Sequence, residues 1–196
     1  LAFEPAHGIP MIPIALDPAH LSIALVGRGD LAVRRFGSLR AGGATATTIY
    51  SDAPRPLMVQ AAGDRLVRRL PSDADLASIS LLWIADLPPD AARDLAARAR
   101  AAKVLVNVED DRPNCDFHNV AQVRRGNLLL TASTNGASPG LASMVREQLE
   151  RTYTADWAER LERLRGRRAD WRAEGRTMDE VGRRTRAAVA EEGWLP

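Results

Sequence analysis

Two short stretches of this sequence carry residue types whose spacing could do chemistry. The first is Gly27-Arg28-Gly29-Asp30-Leu31-Ala32, a G-x-G-x-x-A pattern. In such a turn the first glycine permits a tight reversal, and the second lets backbone approach a pyrophosphate. The small last residue lets a helix pack closely on a strand. A helix starting there offers free N–H groups and the positive end of its dipole to an anion. The expectation is a dinucleotide held at Gly27, Arg28, Gly29, Asp30 and Leu31; the alternative is a turn that serves close packing alone. Asp52 lies 20 residues beyond Ala32, where an acidic residue binds ribose hydroxyls, with Ser51 or Tyr50 as substitutes if the strand ends sooner. Asp52 disfavours a 2′-phosphate, whereas Arg28 can tolerate one. The second stretch is Asn107-Val108-Glu109-Asp110-Asp111. Three crowded carboxylates repel one another, which makes one easier to protonate and suits acid/base work. The alternative is a solvated acidic turn.

The elements that must position these residues follow from the apolar pattern. Residues 21–27 (LSIALVG) and 79–85 (ISLLWIA) read as buried strands, with residues 45–50 and 104–108 as further strands and 65–70 as a short one. A helix is expected from the glycine turn to Ala41, closed by Gly42-Gly43, and another from Pro88-Pro89 to about Ala102. Strands apolar on both faces and alternating with helices give a parallel sheet covered on each side, an α/β, Rossmann-like domain. Both chemical stretches then fall at the carboxyl ends of strands, where open α/β sheets bind ligands. Beyond Val108 the pattern changes. Residues 127–131 (NLLLT) return to strand, and Ser138-Pro139 caps a helix striped by Leu141, Val145 and Leu149. From Tyr153 the chain reads helical. Trp157, Leu161 and Leu164 share a face, Glu159 and Arg163 are spaced for an ion pair, and Thr177 to Glu180 forms a capping box.

Composition narrows the partners. The 196 residues hold one cysteine, three histidines and a net charge of +2. Cys115 alone makes neither a disulfide framework nor a CxxC metal site, and no other cluster has metal-ligand spacing. Of 27 basic residues only Lys103 is lysine. Arginine pairs bidentately with carboxylates and phosphates, although coding bias explains most such enrichment. A near-neutral balance with 5% aromatics argues against nucleic acid. No apolar run is long enough for a membrane span, and the opening LAFEPAHGIPMIPIALD lacks the pattern of a signal peptide. A cytoplasmic protein is the expectation. His7 and His20 have no neighbours suggesting chemistry.

Three blocks together resemble one family. Gly27 to Arg35 is similar to the GGGxVAxRK turn of the siroheme synthase dehydrogenase/ferrochelatase module. Asn107-Val108-Glu109-Asp110 followed by Cys115-Asp116-Phe117 resembles its NVxD…CDF segment, and Ser133 to Ala142 resembles its S-[ST]-G-G-x-S-P-x-L-A loop. The blocks stand in family order across about residues 12–165. The resemblance implies NAD-dependent oxidation of precorrin-2 to sirohydrochlorin, with ferrous iron insertion in many members. It implies an NAD-binding domain (1–116), a dimerisation region (117–150) and a helical tail (151–196), with the tetrapyrrole in a cleft and a homodimer as the assembly. Asp110 maps to the family's acid/base residue. Ser51, Asp52, Ala85 and Asn107 join the glycine turn in cofactor binding. Thr134, Asn135 and Ser138 fall in the substrate loop, and Thr134 maps to a position that is a phosphorylatable serine in some members. Arg124 and Arg125, with Arg112 and Arg146 nearby, flank the blocks and could pair with the substrate's acetates and propionates. Iron is expected as a transient substrate rather than a resident metal.

The chain also departs from the family. Arg28 replaces the middle glycine, Ala85-Asp86-Leu87-Pro88-Pro89 replaces the ATDD segment, and His118 follows Phe117. A dehydrogenase without chelatase activity, or a non-catalytic tetrapyrrole- or nucleotide-binding protein, are the alternatives those changes motivate.

Overall fold

The computed structural model describes residues 11–195, so His7 lies outside the described residues. Five parallel strands form one sheet in the order β3-β2-β1-β4-β5. They are β1 (Ile23–Gly27), β2 (Thr48–Tyr50), β3 (Leu66–Val67), β4 (Leu81–Ala85) and β5 (Leu105–Val108). Helices α1 (Asp30–Ala41), α2 (Pro56–Ala62), α3 (Asp73–Leu76) and α4 (Pro89–Ala101) run between them. The expected Rossmann-like parallel domain is present.

Side chains alternate across a strand, so β1 feeds two cores. Ala24 and Val26 join Leu82, Ile84, Val106 and the α4 residues Leu95, Ala96 and Ala99 on one face. Ile23 and Leu25 join Ile49, Met58, Phe36 and Ala32 on the other. Fully burying one such aliphatic chain contributes about 1.5–3 kcal/mol, which accounts for the all-apolar strands read from the sequence.

Two helices escaped the sequence reading. Helix α2 starts at Pro56, directly after the N-cap Arg55, and ends at Gly63, whose φ is +53°. Its one proline, Pro56, stands at the first helical turn, where Pro is favoured. Helix α3 has only four residues, held by a Ser72–Asp75 capping box. Strands β2 and β3 are shorter than expected, because pairing covers only Thr48–Tyr50 and Leu66–Val67.

The chain divides into two compact units after Asn119. The second unit contains the antiparallel hairpin β6 (Ala121–Arg125) and β7 (Leu128–Ala132), then α5 (Pro139–Thr152), α6 (Trp157–Ala173) and α7 (Met178–Glu191). Strand β6 was not expected, because AQVRR buries only Val123 and lacks an apolar run. Helix α5 begins as read, with the Ser138 hydroxyl accepting from the Leu141 N–H. Its apolar stripe is not buried: Leu141 and Val145 are 51% and 40% exposed. Arg163 does not take Glu159 but reaches Glu192 at 2.6 Å, beside Arg167. Arg160 and Arg163 also lie over the Trp194 ring, and the capping box at Thr177 is present.

Candidate active site

The glycine turn joins β1 to α1 under tight packing. A side chain at Gly27 would place Cβ 2.5 Å from Ala32 Cβ and 2.6 Å from the Ala85 carbonyl oxygen, so only glycine fits. Gly29 is the N-cap of α1 and supplies no side-chain cap. That role is taken from β4: the Asp86 carboxylate accepts from the Ala32 N–H at 2.9 Å. An anionic group therefore already lies at the positive end of α1.

Around this turn lies a pocket of about 510 Å³. Arg28, Arg34 and Arg55 line it, together with Asp30 and Asp86. Arg28 donates through Nε and Nη2 to both oxygens of Asp52, at 2.7 and 2.6 Å. This pairing holds the Asp52 carboxyl below the usual carboxylate range and raises the Arg28 guanidinium. Arg55 reaches Asp30 at 3.2 Å. Ser51 is fully buried, and among the described residues its hydroxyl has no hydrogen-bond partner. A narrow glycine turn, a helix N-terminus and clustered guanidinium groups suit a dinucleotide's phosphates.

A second cavity, of about 380 Å³, opens at the carboxyl ends of β4 and β5. Asp86 lines both pockets, and Glu109, Asp110 and Asp111 line this one with Arg93. Asp86 and Asp110 follow the ends of two adjacent parallel strands, β4 and β5, and both adopt the left-handed region, with φ of +56° and +60°. Asp tolerates that conformation better than most residues, at a cost the surrounding structure must cover. The three carboxylates seen in the sequence have different fates. Glu109 is gripped by Arg35 of α1 at 2.8 and 2.9 Å. Asp111 accepts from the Asn114 amide at 2.8 Å. Asp110 is exposed and, among the described residues, has no hydrogen-bond or ion-pair partner. It is the carboxylate left available to a ligand.

Asn107 is 5% exposed, and its amide donates to the Phe117 carbonyl at 2.8 Å. Its own oxygen accepts from Asn119, which accepts in turn from the Trp83 indole. The Cys115-Asp116-Phe117 segment closes the open edge of β5. Asp116 takes the Val106 N–H through its side chain and gives its own N–H to the Val106 carbonyl, at 2.9 and 2.7 Å. The Cys115 sulfur receives the Val108 N–H at 3.3 Å and donates to the Val108 carbonyl at 3.1 Å. Burial pushes the Cys115 thiol up, which keeps it a donor. Phe117 stacks edge-on against Trp83, and His118 is half-buried beside it. Cys115 to Phe117 thus serve the sheet edge, and Asn107 ties that edge to its loop.

In the second unit, Arg124 is exposed on β6. Arg125 turns back to the carboxyl end of α5, donating to the carbonyls of Tyr153 and Glu150 at 2.7 and 3.4 Å. That is a helix C-cap by a cation. The Thr134 hydroxyl donates to the Ser138 carbonyl and accepts its N–H, at 2.9 and 3.1 Å. Asn135, with φ +55°, forms the turn between them. Sequence reasoning did not count Asp86, Arg34, Arg35 or Arg55 among the site residues. Arg34 and Arg35 were legible in principle, since they lie one helical turn beyond the glycine pattern.

Residues 14–121 match a family described as putative NAD(P)-binding, and residues 125–152 match the central segment of sirohaem biosynthesis proteins. The chain belongs to this NAD(P)-binding family. The resemblance drawn from the three motif blocks is thereby borne out. The chain is 34% identical over 144 residues to a siroheme synthase of Acinetobacter baylyi, covering 71% of this chain and 31% of that protein. It is 33% identical over 142 residues to a siroheme synthase of Methylococcus capsulatus, covering 71% and 30%. It therefore spans about a third of the length of these relatives. A solved precorrin-2 dehydrogenase, SirC, shares the fold with a TM-score of 0.73 at 22% identity, covering 94% of this chain and 92% of that one. No helix among the described residues is long and apolar enough to cross a membrane. No cluster of His, Cys, Asp and Glu among them could hold a metal ion.

Proposed function

We propose that this chain oxidises precorrin-2 to sirohydrochlorin with NAD, in siroheme formation. The observation that carries the reading is Asp110. It is a carboxylate without a partner, lining a cavity that shares Asp86 with the pocket at the glycine turn. The glycine turn and the arginine-lined pocket fit the nucleotide's phosphates and adenosine ribose. When bound, the nicotinamide supplies a hydride acceptor. Asp110 takes the proton lost with that hydride, and Arg35 keeps Glu109 from competing for it. In the second unit the exposed Arg124 carries a charge suited to carboxylates, and Thr134, Asn135 and Ser138 form the loop that leads into α5.

The same carboxylate suits ferrous iron insertion, because chelation also requires removal of pyrrole protons; iron is then a passing substrate. The exposed apolar residues of α5, Leu141, Met144 and Val145, support a homodimer, since apolar surface left on a helix face favours association. A cytoplasmic location fits this chemistry. One observation favours a second reading, a protein that binds without turnover: Asp86 already holds the N-terminus of α1.

The test is to mix the full chain with precorrin-2 and NAD anaerobically and then add ferrous iron. NADH together with the sirohydrochlorin spectrum supports the dehydrogenase, and a further siroheme spectrum adds the chelatase. Binding of both ligands with no NADH selects the second reading.

A further inference from the structure

In nucleotide folds of this type an acidic residue just beyond the second strand selects NAD. It accepts the ribose hydroxyls and repels a 2′-phosphate. Here that residue is Asp52, and both of its oxygens are engaged by Arg28. The pair sits at the mouth of β1 and β2, with the two side chains 33% and 37% exposed. Neutralised in this way, Asp52 exerts little repulsion on an incoming phosphate. Arg28 still has N–H groups to spare, since a guanidinium carries five and the carboxylate uses two. Arg34 and Arg55 line the same pocket, and among the described residues Arg34 has no ion-pair partner. Three guanidinium groups therefore line one pocket at the carboxyl ends of β1 and β2, Arg55 among them also holding Asp30.

We propose that this pocket accepts the 2′-phosphate of NADP, so that the chain takes NADP as well as NAD. Arg28 sets the preference, and Asp52 is its counterweight. A phosphate near Arg28, Arg34 and Arg55 gains charge-assisted hydrogen bonds that a free hydroxyl does not. Asp30 and Asp86 face the same pocket and limit that gain, which is why the arrangement is permissive toward both nucleotides. The proposal rests on the dinucleotide reading above and specifies which dinucleotides are taken.

The experiment is calorimetric titration of the full chain with NAD and, separately, NADP, for the unaltered protein, Arg28→Ala and Asp52→Asn. The two nucleotides should bind the unaltered protein within about tenfold of each other. Arg28→Ala removes a phosphate ligand and releases Asp52, so the NADP-to-NAD affinity ratio should fall by about tenfold or more. Asp52→Asn releases Arg28, so the ratio should rise. Opposite movement of the ratio in two variants is not what a loss of local structure would produce. NAD binding with NADP rejected about a hundredfold, or a ratio that stays fixed in both variants, overturns the proposal alone. A folded protein that binds neither nucleotide overturns the proposal together with the dinucleotide reading.

Discussion

The ends of β1 and β2 and the ends of β4 and β5 lie on one rim of the same sheet, yet they treat charge in opposite ways. At β1 and β2 the carboxylates are paired, Asp52 with Arg28 and Asp30 with Arg55, and among the described residues the group left without a partner is a guanidinium, Arg34. At β4 and β5 one carboxylate is secured by Arg35, and another, Asp110, has no partner among the described residues. Paired charge suits a surface that must hold a charged ligand in place. An unpartnered carboxylate suits a surface that must exchange a proton. Under the proposed function, this difference separates a holding end of the rim from a reacting end.

The largest effect should come from the reacting end. Asp110→Asn should lower turnover about a hundredfold or more, with nucleotide affinity little changed, measured as NADH formation and by titration. Near-normal turnover in that variant would erase the distinction between the two ends. At the holding end, Gly27→Ala forces a methyl against Ala32 and the Ala85 carbonyl. It should cost about 1–3 kcal/mol of stability in urea melts and weaken nucleotide binding. Glu109→Gln breaks the bridge between α1 and the end of β5. With both side chains less than a quarter exposed, the cost should be about 1–2 kcal/mol.

A smaller change probes the boundary between the two ends. Asp86→Ala removes an anion from the N-terminus of α1, so the nucleotide should bind about 2–5-fold tighter. Weaker binding would mean that Asp86 helps to position the ligand. The smallest expected effect is a pH dependence. Arg28 lowers the Asp52 carboxyl, while Arg69 and the Ser72 hydroxyl lower that of Asp75. Both groups release their protons more readily folded than unfolded. Their stabilisation is therefore complete above about pH 4 and is lost as the pH falls through the folded values. Asp75→Asn should flatten the acid limb of the thermal midpoint and leave the neutral plateau slightly lower.

The sheet was legible because burial on both faces forces uninterrupted apolar runs, as in residues 21–27 and 79–85. The turn at Gly27 was legible because a short backbone approach leaves few choices of residue. Strand β6 was not, since a strand that buries only Val123 has no such run. The site was half legible. Asp110 stood out by position, but sequence spacing gives no sign that Arg35 takes Glu109 or that Arg28 takes Asp52, 74 and 24 residues apart. The apolar stripe of α5 was visible as a pattern, whereas its exposure depends on what packs against it.

One measurement tests the division of labour most directly: a single turnover with enzyme in excess over precorrin-2, at saturating NAD, for the unaltered chain and for Asp110→Asn. NADH should rise in step with sirohydrochlorin in the first, and in the second both ligands should bind with almost no NADH formed. Equal NADH traces from the two proteins would contradict that division of labour.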